Sequence, residues 1–237
     1  MPYSHFDENN GHKSFQLPGS RPHYNPDRPG QVEHISLDLT LDLPNQSFAG
    51  SCEIRLNPVR SGIDSLTLDA VNLDIRGVQI DGTSHKFNYD GELLHIPVKV
   101  DVVAGKVLDI VIDYGVDKPQ RGLYFIQPDE HYPHKPTQVW TQGEDEDSRF
   151  WFPCFDYPGQ LATSAIRVQV PKDFMAISNG ELVEQTAYGE DRVYQWMQKE
   201  IHPTYLMTLA VGRFSEIADS WNGKPVTYYV EKGREEQ

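Results

Sequence analysis

From Val32 onward the chain alternates apolar and polar residues with a period of two. Ile35, Leu37, Leu39, Leu41 and Leu43 interleave with Ser36, Asp38, Thr40 and Asp42. Pro44-Asn45-Gln46-Ser47 then turns the chain into Phe48, Gly50, Cys52, Ile54 and Leu56. Period two puts successive side chains on opposite faces, so this is a half-buried hairpin with one face on a core and one in water, as in an antiparallel sheet. The pattern continues through Leu66/Leu68, Leu73/Ile75, Val78/Ile80, Phe87/Tyr89, Leu94/Ile96/Val98 and Leu108 to Tyr114. It resumes at Ile166 to Val170, Met175/Ile177, Val193 to Met197, Tyr205 to Val211 and Val226 to Val230. Asp81-Gly82, Asp90-Gly91, Asn179-Gly180 and Asn222-Gly223 supply tight turns, because such pairs tolerate positive φ. No amphipathic helix longer than a turn or two is evident. The predicted fold is all-β, a large antiparallel sandwich, with residues 1–30 as a polar, proline-broken arm and 31–230 as a single β-domain.

One stretch, Trp140 to Pro158 (WTQGEDEDSRFWFPCFDYP), fits neither a strand nor a helix period. Irregular aromatic-rich sequence set between strands is where binding chemistry concentrates.

Charge and cysteine usage narrow the function classes. With 35 acids against 21 bases the formal net charge is −14. Such a field repels phosphate backbones and anionic membranes and attracts cations, so neither nucleic acid nor membrane is an expected partner. The N-terminal residues lack a basic patch followed by an apolar run, and nowhere do eighteen apolar residues follow one another, which reads as a cytoplasmic protein. Cys52 and Cys154, the only cysteines, are too few for a disulfide framework and are expected reduced and buried.

Catalytic signatures are missing. A catalytic zinc site needs about three convergent ligands, most recognisably as H-E-x-x-H on a helix, and the chain has none. His131-Tyr132-Pro133-His134 reads as a surface loop, since Pro133 forbids a helix and no third ligand is near. Cys154, between Phe152-Pro153 and Phe155, sits in apolar company that makes a thiol inert. The acidic run Glu144-Asp145-Glu146-Asp147 has two readings. It is a solvated charge run, with Asp147 and Arg149 pairing locally, or one member is a carboxylate held in a cleft to bind a cation.

Thr141-Gln142-Gly143-Glu144, Asp147-Ser148-Arg149, Phe152-Pro153-Cys154-Phe155-Asp156-x-Pro158 and Ala162-Thr163 resemble the T-Q-x-E-x-x-D-A-R-x-x-F-P-C-F-D-E-P-x-x-x-A-T block of the aminopeptidase N-type zinc metallopeptidases, a family that also contains leukotriene hydrolase. Arg121-Gly122-Leu123-Tyr124, Pro171-Lys172 with Ala176-Ile177-Ser178-Asn179-Gly180, and Pro203-Thr204-Tyr205-Leu206 through Gly212-Arg213-Phe214 are similar to further pieces of that family, in order. The resemblance implies a saddle-like N-terminal β-domain packed on a thermolysin-like catalytic domain that holds the zinc. Residues 231–237 would begin the linker to that domain, and the chain alone would be inactive and zinc-free. It further implies that Glu144 grips the free α-amino group of a peptide substrate and that Gln142 lines the first specificity pocket. A free amine of pKa about 8 is largely cationic at neutral pH, which suits a carboxylate partner. The family often strains the backbone after this residue, so a cis Glu144–Asp145 peptide is expected. Tyr157, Gly159 and Ser164 depart from the block and bear on subgroup and substrate preference. A non-catalytic branch of the family, a transcription-initiation-factor subunit, makes a protein-interaction module the alternative; a carbohydrate-binding sandwich is the remoter one.

Overall fold

The computed structural model describes residues 28–98 and 102–236. The arm expected over residues 1–30 therefore lies almost wholly outside the described residues. Seventeen strands follow in order: β1 (Gly30–Asp42), β2 (Ser47–Pro58), β3 (Ser65–Asp69), β4 (Asp74–Ile80), β5 (Thr83–Ser84), β6 (Asn88–Tyr89), β7 (Leu93–Pro97), β8 (Leu108–Asp117), β9 (Leu123–Ile126), β10 (Gln138–Thr141), β11 (Leu161–Pro171), β12 (Met175–Ser178), β13 (Glu181–Tyr188), β14 (Asp191–Pro203), β15 (Leu209–Gly212), β16 (Phe214–Trp221) and β17 (Lys224–Glu231). Two short 3-10 turns, Ser148–Phe150 and Thr204–Leu206, are the only helical pieces among the described residues, and no helix there could cross a membrane.

An eight-stranded sheet of order β13-β14-β11-β1-β2-β8-β4-β5 forms the largest layer, beside a four-stranded sheet β12-β15-β10-β9, a three-stranded sheet β3-β7-β6 and the hairpin β16-β17. The β1–β2 register puts Leu37 opposite Cys52 and Leu39 opposite Gly50, as the alternation predicts. Leu37, Leu39, Cys52, Ile54 and Leu56 are all fully buried. They meet Leu66, Leu68 and Ile96 from the three-stranded sheet and Val139, Ala176 and Val211 from the four-stranded sheet in one continuous core. The opposite face of the large sheet carries polar pairs, such as Asp38 with the Arg167 guanidinium at 2.7 Å.

Three features differ from the periodicity reading. The large sheet is antiparallel except where β1 runs parallel to β11, an arrangement open to strands joined by a long crossover rather than a hairpin. Strands β5, β9, β10, β13 and β16 have no counterpart in that reading; every residue of β13 is exposed, so it carries no alternation to read. Conversely, the strand predicted over Tyr205 to Val211 begins only at Leu209, because Thr204–Leu206 closes a 3-10 turn.

The irregular stretch is fixed to the three-stranded sheet by main-chain bonds and by one guanidinium. Asp69 and Cys154 exchange both backbone hydrogen bonds (2.8 and 3.0 Å), and the Val71 amide donates to the Arg149 carbonyl at 2.8 Å. The Arg149 side chain donates from Nε and Nη2 to Asp156 Oδ2 and the Asp156 carbonyl at 3.2 and 2.8 Å. It also reaches Glu146 Oε2 at 2.9 Å and Asp69 Oδ1 at 3.1 Å. Asp156, whose side chain is wholly buried, accepts in addition from the Arg149 amide at 3.0 Å and the Thr204 hydroxyl at 2.8 Å. Burial pushes the Asp156 carboxyl above its ordinary range, against the pull of these donors and the guanidinium charge. The local Asp147–Arg149 pair entertained from sequence does not form. Asp147 instead takes two bonds from Arg121, at 2.6 and 3.2 Å, while Arg149 is occupied by its three other carboxylates.

Replacing Arg149 by Met strands a buried carboxylate and is expected to cost about 3–5 kcal/mol in urea unfolding at pH 7. With its folded value already raised, ionised Asp156 opposes folding. Its favourable contribution is complete below the unfolded value of about 4 and is lost as pH rises through the folded one. Loss of the guanidinium widens that window upward. The Arg149→Met midpoint should therefore recover on acidification from pH 7 toward 5 more than the parent's does; parallel pH profiles would contradict the assignment.

Candidate functional site

The segment that bears Gln142 and Glu144 is the continuation of β10. Thr141 pairs with Leu123 in the ladder, and the Gln142 amide donates to the Gly122 carbonyl at 2.8 Å, which extends the pairing by one residue. Thr141 Oγ1 accepts from the Leu209 amide at 2.9 Å on the other side. Gly143 then passes so close to the chain at Tyr205 that a Cβ would lie 2.5 Å from the Tyr205 carbonyl oxygen. Only glycine fits there, and the close passage directs the next residues away from the sheet. Gly122 opposite is restricted in the same way: it has φ of +74°, and a Cβ would meet the Asp147 carbonyl oxygen at 2.5 Å. A turn closes with the Asp147 amide donating to the Gly143 carbonyl at 2.8 Å, and the Glu144–Asp145 peptide is cis, as expected.

This frame separates the four acids. Glu146 and Asp147 are bound by Arg149 and Arg121 respectively. Glu144 and Asp145 are exposed, and among the described residues the Glu144 carboxylate has no hydrogen-bond or ion-pair partner. Gln142 is exposed as well. The run is thus neither uniformly solvated nor enclosed in a cleft: its second half builds the scaffold and its first half presents side chains to the outside. The aromatics flanking it do not close over Glu144 within this chain. Trp151 is fully buried and Trp140 is 41% exposed, stacked on Tyr124 with ring centroids 4.7 Å apart and planes at 24°.

The other candidate chemistry is structural. Cys154 and Cys52 are free and fully buried, with Cys52 Sγ donating to the Pro153 carbonyl at 3.4 Å. Burial first, then the Asp156 and Asp69 carboxylates, hold the Cys154 thiol well above the ordinary range, so the reactive thiolate is not formed. His131 and His134 are exposed on a loop whose backbone is capped by Asp129, which accepts from the His131 and Tyr132 amides at 2.9 and 2.8 Å. Among the described residues no three His, Cys, Asp or Glu side chains converge to hold a metal ion. The described residues therefore do not offer the three convergent ligands that a zinc site needs. Residues that sequence reasoning passed over are Asp69, Asp156 and Thr204 as partners in the Arg149 network, and Gly143 as the close-contact point. Asp69 closes a short strand like any polar strand end, so no local signal marks it.

A sequence model of the Peptidase M1 N-terminal domain matches residues 21–206. Among curated proteins the chain is 31% identical over 185 residues to probable aminopeptidase 1 of Saccharolobus solfataricus, covering 77% of this chain and 22% of that protein. It is 32% identical over 121 residues to transcription initiation factor TFIID subunit 2 of Danio rerio, covering 49% of this chain and 10% of that one. The chain therefore spans less than a quarter of either relative. Among solved structures, native yeast LTA4 hydrolase superposes with a TM-score of 0.74 at 24% identity, over 90% of this chain and 35% of the other, which supports the all-β fold. With most of its length inside the family match, the chain belongs to the Peptidase M1 N-terminal domain family.

Proposed function

We propose that this chain is the part of a zinc aminopeptidase that anchors the α-amino group of the peptide substrate. The observation that carries the reading is Glu144: it is exposed and unpaired just beyond β10, while Glu146 and Asp147 are taken up by the scaffold. A carboxylate can accept from a substrate ammonium group, a charge-assisted contact that strengthens as water is excluded. Because the Gly143–Tyr205 contact and the Arg149 fork fix the backbone on both sides, the anchor is held before substrate arrives, which lowers the entropic cost of binding. Gln142, two residues earlier, lines the space for the first side chain.

The zinc and the water it activates belong in this reading to a catalytic domain elsewhere in the polypeptide, the second partner of this domain after the peptide. The protein works in the cytoplasm, without nucleic acid or membrane. The likeness to a TFIID subunit keeps one rival in view, a protein-interaction module of the same fold. The coding sequence beyond residue 237 separates the two: G-x-M-E-N and H-E-x-x-H motifs downstream favour the peptidase, and their absence favours the module.

In the full-length enzyme, Glu144→Ala is expected to raise KM for peptides with a free amine and lower kcat/KM by about 30-fold, on the order of 2 kcal/mol. Unchanged steady-state kinetics would remove Glu144 from the site. The 237-residue chain by itself is expected to hold no stoichiometric zinc and to turn over no aminoacyl substrate; zinc at one equivalent by metal analysis would place the metal site here instead.

A further inference from the structure

The close passage at Gly143 directs Glu144 away from the sheet, and it is only as fixed as Tyr205, which sits in the middle of the Thr204–Leu206 turn between β14 and β15. A turn this short closes little of its own main chain, here the Met207 amide on the Thr204 carbonyl at 2.9 Å, and needs outside partners to keep its place. The upstream end has one, the Thr204 hydroxyl donating to the buried Asp156 carboxylate at 2.8 Å. A single side chain holds the downstream end. Asn179 Nδ2 donates to the Leu206 carbonyl at 3.0 Å, and Asn179 Oδ1 accepts from the Thr208 amide at 2.7 Å and from the Thr208 hydroxyl at 3.2 Å. The neighbouring Ser178 hydroxyl donates to the Thr208 carbonyl at 2.7 Å.

Here a side-chain amide takes the place of main chain. β12 pairs with β15 from Met175 opposite Gly212 to Ser178 opposite Leu209, so the next step of the register would set residue 179 against Thr208. The backbone has already turned away there: Gly180 has φ of +83°, and a Cβ on it would lie 2.1 Å from the Met197 carbonyl oxygen. The Asn179 side chain, with a donor and an acceptor on one planar group, continues the ladder where the main chain leaves it. In the pair Asn179-Gly180, read from sequence as a turn, glycine makes the turn and asparagine fastens the segment beside it. We infer that Asn179 is a positioning residue for the Glu144 carboxylate: by fixing Leu206 and Thr208 it holds the Tyr205 main chain against Gly143, and so sets where Glu144 meets a substrate amine. The inference rests on the reading of Glu144 as the amine anchor and adds to it a residue that makes no hydrogen bond to Glu144.

The test uses the full-length protein with Asn179→Ala and the milder Asn179→Asp, which keeps both acceptor contacts to Thr208 and loses only the donor to Leu206. Asn45→Ala is the control, since it removes an asparagine side-chain bond to Asp42 in the turn between β1 and β2. Amide hydrogen exchange reads the position of the segment. In Asn179→Ala the Thr208 amide loses its acceptor and exchanges faster in any case; the inference requires the Gln142 and Asp147 amides, bonded to Gly122 and Gly143, to exchange faster as well, while β1, β2 and β8 keep the parent's protection. For peptides with a free amine, Asn179→Ala should lower kcat/KM by about tenfold through KM, Asn179→Asp by less, and Asn45→Ala not at all. In a Glu144→Ala background the same change should cost less than about twofold, because the group it positions is gone. Faster exchange confined to Thr208, or a loss as large without Glu144 as with it, would overturn the inference and leave the peptidase reading standing. Unchanged kinetics in Glu144→Ala alone would remove the anchor and this inference with it. A variant that fails to fold shows as lost protection throughout β1, β2 and β8, and Asn179→Asp then carries the same comparisons.

Discussion

The multidentate contact between Arg149 and the carboxylates of Asp69, Glu146 and Asp156 is the constraint on which the binding segment depends. Residues 142–158 have little regular structure, and a few main-chain bonds to Asp69, Val71 and Gly122 hold them only at points, so side chains must supply the rest of their position. A planar guanidinium with five donors in fixed directions does this better than a lysine ammonium could, because each carboxylate is held in direction as well as distance. Burying Asp156 is unfavourable on its own, as its raised titration shows. The compensating donors from Arg149 and Thr204 make that burial tolerable only when the β3 end, the irregular stretch and the Thr204–Leu206 turn are all in place. The network thereby specifies one arrangement of three segments distant in sequence.

The same network accounts for the division of labour in the acidic run. Four consecutive acids repel one another and would favour an open, solvated loop. Two arginines, from different positions, take up Asp147 and Glu146, which removes part of that repulsion and turns the back half of the run inward. What remains outside is a pair of carboxylates on a fixed backbone, with the glycines at 122 and 143 allowing the close main-chain approach that sets their direction.

The strands with one buried face were legible from sequence, because β1, β2, β7, β8 and β11 must alternate to bury Leu37, Ile54, Ile96, Ile110 and Val168. Strands without that asymmetry left no such trace: β13 is exposed on both faces, and β10 has only four residues, flanked by an irregular loop. Periodicity also could not reveal the parallel neighbour of β1, since alternation is indifferent to strand direction. Within the site, Gln142 and Glu144 were legible only through the family block; their exposure, and the commitment of Glu146 and Asp147 to arginines, depend on Arg121 and Arg149 meeting partners that no spacing rule relates. The inertness of Cys154 followed directly from its apolar neighbours.

The parallel pairing of β1 with β11 also bears on how the chain is made. β1 and β2 are joined by a tight turn and can associate as soon as both have emerged during synthesis, but the other edge of β1 has to wait for its partner: His34 pairs with Thr163 and Asp38 with Arg167. Until then the central strand of the largest sheet presents an open row of amides and carbonyls beside Leu37 and Leu39. Closing so long a loop is slow, and an open apolar edge is the form in which β-proteins pair with the wrong chain. The β1–β2 hairpin therefore keeps one edge open to mispairing from the appearance of β2 until that of β11.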